Sequence, residues 1–108
     1  MDQRDVQYDQ LLAANSLIAR IWEVGALWCL QAGPLRYSEV GHQLGAWSGL
    51  RPSDSAITRA LKRLERNGFV DHTGGDDDHR RGTYTITDKG RERMTRIAVL
   101  IAAVKDGG

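Results

Sequence analysis

Ser55, Thr58, Arg59, Lys62 and Arg66 recur at intervals that place them along one side of a helix, and all are hydroxyl or cationic side chains. Such groups can bond phosphate oxygens and base edges. Arginine pairs bidentately with guanine, serine and threonine reach either kind of base, and lysine more often holds phosphate. Ile57, Ala60, Leu61 and Leu64 occupy the opposite side at the spacing of a buried stripe. Ser53 after Pro52 is a suitable N-cap, and Gly68 after Asn67 a suitable stop. One helix with these two faces can anchor its oily side and press the other into a nucleic-acid groove. A plain solvated face is the alternative reading of the same charges.

A second group lies further on, where Asp76-Asp77-Asp78-His79-Arg80-Arg81 sits between glycines. Arginine suits a narrowed minor groove, where the potential is deepest, so Arg80 and Arg81 are candidate contacts, with an aspartate holding the Arg80 guanidinium. The three aspartates would repel phosphate and turn the tip itself away from a duplex. His72, the three aspartates and His79 could be drawn together as metal ligands, but their spacing matches no zinc or calcium pattern. No Ser-His-Asp or Cys-His arrangement is evident, so the chain does not read as an enzyme, and no cofactor is implied.

These groups need elements to position them. Tyr8, Leu11, Leu12 and Ile18 recur at helical intervals, and Leu17–Leu30 is apolar nearly all round. One helix or two could fill the span from Tyr8 to Gln31. Gly33-Pro34 ends it. Tyr37–Leu44 is a short helix with Val40 and Leu44 inward, and Gly45–Pro52 reads as a loop. After the two-faced helix, Phe69–Thr73 and Gly82–Ile86 read as strands around a polar tip, Gly74–Arg81. A last helix starts near Thr87-Asp88, with Met94, Ile97, Ala98, Ile101 and Val104 as its stripe. Residues 1–7 are expected to be a flexible N-terminus, residues 8–105 a single domain with flanking helices, and residues 106–108 a disordered tail.

Composition bounds the rest. A chain of 108 residues with 41% apolar content supports one small core. Its formal net charge of +1 makes local clustering the only basis for binding nucleic acid. Such clustering exists between Arg51 and Arg66, where Arg51, Arg59, Lys62, Arg63 and Arg66 face Asp54 and Glu65. Cys29 is the single cysteine, in an apolar setting that suits an inert thiol. The apolar runs Val24–Leu30 and Ile97–Val104 are too short to cross a bilayer, and no basic-then-apolar signal opens the chain, so a cytoplasmic location is expected without a membrane partner.

Helix, helix, turn, helix, hairpin, helix is the order of a winged helix-turn-helix, a mainly α fold with a small β-hairpin. Three segments together resemble the HxlR branch of winged-helix transcriptional regulators. Trp22 precedes Gly33-Pro34, which runs into Leu35-Arg36-Tyr37-Ser38-Glu39-Val40; Ser53 through Gly68 resembles the recognition helix; Tyr84-Thr85-Ile86-Thr87-Asp88-Lys89-Gly90 resembles the wing exit and the start of the last helix. The N-terminal cysteine common in that branch is missing, and the Gly45–Pro52 connection, which holds Trp47, is longer than usual. Asp78-His79-Arg80 is closer to the wing of MarR- and PadR-type regulators. The resemblance implies a DNA-binding regulator, most simply a repressor, acting on an inverted-repeat operator as a homodimer. With Tyr37 and Ser38 added, the DNA-contacting set is Ser53, Ser55, Thr58, Arg59, Lys62, Arg63, Arg66, Arg80 and Arg81. Leu11, Leu12, Met94, Ile97, Ile101 and Val104 would form the dimer seam. Trp22, Trp28 and Tyr8 would line a pocket for a small aromatic effector. The competing reading is a winged-helix module that binds protein and no specific DNA.

Overall fold

The computed structural model describes the backbone of residues 3–107 and the side chains of residues 8–106. Helix α1 spans Gln3–Leu30, α2 Tyr37–Ser48 and α3 Asp54–Arg66; strands β1 (Val70–Thr73) and β2 (Thr83–Ile86) follow, and α4 (Asp88–Gly107) ends the chain. A single helix therefore fills the span where one or two were open. It already runs through residues 3–7, and α4 continues through residues 106–107. Positions 1, 2 and 108 lie outside the described residues.

Local chemistry sets the boundaries of α3. Ser53 is extended at its N-cap, and its Oγ accepts from the Ala56 amide at 3.1 Å. At the other end the Gly68 amide donates to the Glu65 carbonyl and the Phe69 amide to the Leu64 carbonyl. This double closure requires a left-handed residue, and Gly68 supplies it with φ of 79°. Helix α2 runs one turn beyond the expected Leu44 and takes in Gly45 to Ser48. Ser48 Oγ donates back to the Leu44 carbonyl at 2.8 Å, and left-handed Gly49 closes the helix onto Gly45. The first half of the expected eight-residue loop, Gly45–Ser48, is thus helix.

The hairpin pairs Val70 with Ile86 and Thr73 with Thr83 in antiparallel register. A third segment joins it, for Leu35 and Tyr84 exchange both backbone hydrogen bonds, at 3.0 and 2.8 Å. The connection after α1 is thereby stitched to the wing. Thr87 caps α4, accepting from the Gly90 amide and donating to the Gly68 carbonyl, which ties the last helix to the end of α3.

One core lies where the four helices and the hairpin meet. Trp22, Ala26, Leu27, Cys29 and Leu30 of α1 pack with Tyr37, Val40 and Leu44 of α2, with the α3 stripe, and with Val70, Tyr84, Ile86 and Met94. Among the described residues no charged or polar residue is buried. Burial pushes the Cys29 thiol pKa up, in keeping with an inert core cysteine. The Cα radius of gyration, 15.7 Å, exceeds the roughly 13 Å of a compact chain of this length. The excess comes from the outer halves of α1 and α4, which lie exposed beyond the core. Among the described residues no helix is long and apolar enough to cross a membrane, and no cluster of three or more His, Cys, Asp or Glu could hold a metal ion.

Candidate nucleic-acid interface

The polar face of α3 meets the wing tip in one depression, lined by Asp54, Ser55, Thr58, Arg59, His79 and Arg80. Ser55, Arg59, Lys62 and Arg66 are exposed, and Thr58 is half-buried. On the far side Ile57, Ala60, Leu61 and Leu64 are all buried, so the amphipathic division expected of this helix is realised. No ion pair among the described residues occupies Arg59, Lys62 or Arg66. Their charges face solvent.

The wing is set by hydrogen bonds that radiate from its base. Tyr84 is 1% exposed, and its hydroxyl donates to the His79 carbonyl at 2.6 Å. Removal from water, then the nearby Glu65, pushes the Tyr84 phenol up to about 12. The His72 ring stacks on Tyr84 with centroids 4.2 Å apart, and His72 Nε2 bonds the Arg81 carbonyl at 2.6 Å. Because a carbonyl only accepts, Nε2 carries the proton. Asp78 holds the tip twice, accepting from the Arg80 amide at 2.9 Å and lying 3.5 Å from the Arg81 guanidinium. The aspartate that faces the Arg80 guanidinium is Asp54 of α3, at 3.9 Å. This long, exposed pair leaves Arg80 able to turn toward a phosphate or a groove.

Several expected contacts belong elsewhere. Tyr37 is 7% exposed and points inward, its hydroxyl 2.9 Å from the Asp54 carbonyl and 3.0 Å from Thr58 Oγ1. It braces the start of α3 and is not a DNA contact. Arg63 is turned toward α1, where Nε lies 3.0 Å from Glu23 Oε1. Its guanidinium is paired within the protomer and lies outside the depression that Arg59 lines. Ser53 spends its oxygen on the helix cap, though its hydroxyl proton remains on the surface. Ser38 is exposed beside a separate hollow of about 700 Å³ between α2 and α3, together with His42 and Arg51.

The three aromatic residues expected to share one effector pocket do not meet. Trp22 is a core residue at one edge of a hollow facing α3, Trp28 lines a groove on another side of α1, and Tyr8 is exposed and lines neither. The partner of Trp28 is Trp47, which the sequence leaves unassigned. Together with Val24, Met94, Ile97, Ala98 and Ile101 these two rings bound a groove of about 400 Å³ between α1, α2 and α4. Trp47 sits against Gly25, where a Cβ would meet its ring at 2.6 Å, so glycine is what lets the ring lie on α1. Within the proposed dimer seam, Met94 is buried in the protomer and Ile97 is packed against the core, so these two are internal. Leu11, Leu12, Ile101 and Val104 are exposed. Asp54 and His79 are functional candidates that helical periodicity alone does not select, since they join the reader face only once the wing folds against α3.

Comparison with known proteins matches the sequence to a family. The sequence model of the transcriptional regulator PadR-like family matches residues 27–96, from α1 into α4. The chain is 30% identical over 92 residues to an uncharacterized HTH-type transcriptional regulator, YwoH of Bacillus subtilis (strain 168). That alignment takes in 84% of this chain and 61% of YwoH, so the chain spans less than two thirds of that relative. Among solved structures, a transcriptional regulator from Clostridium thermocellum, Cth-833, superposes with a TM-score of 0.69 at 20% identity, covering 84% of this chain and 89% of that one. The quinone-bound YodB of B. subtilis superposes with a TM-score of 0.65 at 22% identity, covering 91% and 98%. At these identities the likenesses show the winged-helix fold. The family matched is PadR-like, where the spacing of Trp22, Gly33-Pro34 and Tyr37-Ser38-Glu39 points to the HxlR branch.

Proposed function

The chain belongs to the PadR-like family of transcriptional regulators, and we propose that it binds duplex DNA sequence-specifically, as a homodimer on an inverted-repeat operator, and represses by occupying that site in the cytoplasm. The observation that carries the reading is the single depression in which Ser55, Thr58 and Arg59 of α3 lie beside Arg80 of the wing. In this arrangement α3 enters the major groove, Arg59 addresses a base edge, Lys62 and Arg66 hold phosphates, and Arg80 reaches the flanking backbone or minor groove.

Two-fold pairing places two such readers about one DNA turn apart or a multiple of it. Exposed Leu11 and Leu12 of α1 and Ile101 and Val104 of α4 support pairing through the outer halves of these helices. A small planar aromatic ligand fits the Trp28–Trp47 groove, whose walls come from both α1 and α4. Occupancy there would alter the angle between the helices that set the reader spacing. Quinone binding by the structurally similar YodB is in keeping with such a ligand.

The test is fluorescence anisotropy with duplex DNA at two salt concentrations, after selection of bound sequences from a random pool. A reader of this kind enriches a two-fold symmetric sequence and loses affinity steeply as salt rises. Absence of enrichment, with weak binding at both salts, would leave a protein-binding module instead.

A further inference from the structure

We infer that Tyr37 sets which bases Thr58 can read, by committing the threonine's only hydroxyl proton to the interior of the protein. The inference rests on the DNA-reading role of α3 and adds a specificity rule to it.

Counting protons fixes the direction of both bonds. Tyr37 Oη lies 2.9 Å from the Asp54 carbonyl and 3.0 Å from Thr58 Oγ1. A carbonyl has no proton to give, so the hydrogen between Tyr37 and Asp54 belongs to the phenol. A phenol has only one. The hydrogen between Tyr37 and Thr58 must therefore come from the threonine. Thr58 makes no bond to the carbonyl one turn back, unlike Ser48 and Thr95, which donate to Leu44 and Arg91. Its hydroxyl thus points its proton inward at Tyr37, and its oxygen offers only lone pairs to the depression shared with Ser55, Arg59 and Arg80.

A free threonine hydroxyl is indifferent, since it can donate to guanine O6 or thymine O4 and accept from adenine N6 or cytosine N4. An acceptor-only threonine is not. It favours a base with an exocyclic amine and faces a guanine or thymine oxygen lone pair to lone pair. Arg59, beside it, can only donate. The reader face thereby presents one obligate acceptor next to one obligate donor, and Tyr37 acts as a positioning residue for the first.

Two measurements test this. Sequence selection with the full chain is expected to yield one half-site position restricted to adenine or cytosine on the strand that Thr58 meets. In Tyr37→Phe that restriction should relax by about fivefold, the worth of one net hydrogen bond, while neighbouring positions keep their preferences. Thr58→Val, which has neither proton nor lone pair, should lose the preference at the same position. An unchanged profile for Tyr37→Phe, or uniform weakening at every position, would overturn the inference while leaving DNA reading intact. No enrichment by the unmodified chain would remove both. Independently of DNA, proton NMR of the free protein should show a slowly exchanging Thr58 hydroxyl proton with a cross-peak to the Tyr37 ring. Rapid exchange with water would overturn the assignment.

Discussion

In α3 and the hairpin the large aliphatic side chains and Tyr84 are buried within the protomer, whereas in the outer halves of α1 and α4 comparable side chains face water. Ile57, Leu61, Leu64, Val70 and Ile86 are at most 6% exposed, while Leu11 is 64%, Leu100 65% and Val104 75% exposed. The reader is therefore a finished structure inside one chain, held by Tyr37, Tyr84 and two backbone closures. The terminal helices are unfinished. Exposed apolar residues repeated along two helices are what the proposed pairing would cover, and burying a Leu or Val side chain is worth about 1.5–3 kcal/mol. In the proposed dimer one region would recognise DNA and the other would decide how many readers act together.

The largest test of the contrast strikes the unfinished region. Ile101→Glu puts a charge on the exposed face of α4, where the protomer itself loses little. Sedimentation should show a monomer, and affinity for a two-fold operator should fall about a hundredfold to a thousandfold, because the second reader no longer acts intramolecularly. Binding to a single half-site should be nearly unchanged. A dimer that persists in this variant would show that the seam lies elsewhere.

The finished region carries its own signature in its pH dependence. Tyr84 titrates in the folded state at about 12, above its ordinary value of 10. The fold thus favours the protonated phenol, and this contribution is complete below pH 10 and lost as pH rises toward about 12. Denaturant melts followed over that interval should lose about 2–3 kcal/mol that Tyr84→Phe does not lose. The monomeric Ile101→Glu variant should show the same loss, since the wing base is completed within one chain. An alkaline transition that disappears together with the dimer would break the comparison.

Much of the reader was legible from residue types, and the reason is local. The stripe Ile57, Ala60, Leu61 and Leu64, the Ser53 cap and the Gly68 stop each depend on neighbours within a turn or two, and all three lie where expected. What depended on tertiary approach was not legible. Trp47 lies in a glycine-rich stretch that reads as a loop, yet Ser48 and Gly49 close that stretch as helix, and Gly25 receives the ring. Tyr37 carries a polar group in a motif that suggests contact with DNA, and only the docking of α2 on α3 turns it inward. Met94 belongs to the same apolar repeat as Ile101, and spacing alone cannot separate a core position from a seam position on one helix. The pairing of Leu35 with Tyr84 is a single bridge, too short to leave a period.

A closer test lies within α3 itself, where Arg59 and Arg63 are four residues apart and differ in what they face. Arg59 lines the depression beside the wing, with no ion pair among the described residues. Arg59→Ala is expected to weaken a specific site by about 1–3 kcal/mol and relax preference at one position, with no loss of thermal stability.

Arg63→Ala should do the reverse, on a smaller scale. Its guanidinium lies 3.0 Å from a carboxylate of Glu23 that is only 21% exposed, so its removal leaves that charge partly desolvated on α1. Because Arg63 itself is 60% exposed, solvent screens the pair, and the stability cost should stay within about 0.2–1 kcal/mol. Pairing Arg63→Ala with Glu23→Gln in a double-mutant cycle isolates that coupling. Operator affinity and its salt dependence should remain those of the unmodified protein, because a cation already matched by Glu23 releases few counterions. A salt slope that falls by about one charge in Arg63→Ala would return this arginine to the phosphate-binding set. It would also move the border between reader and scaffold one helical turn toward α1.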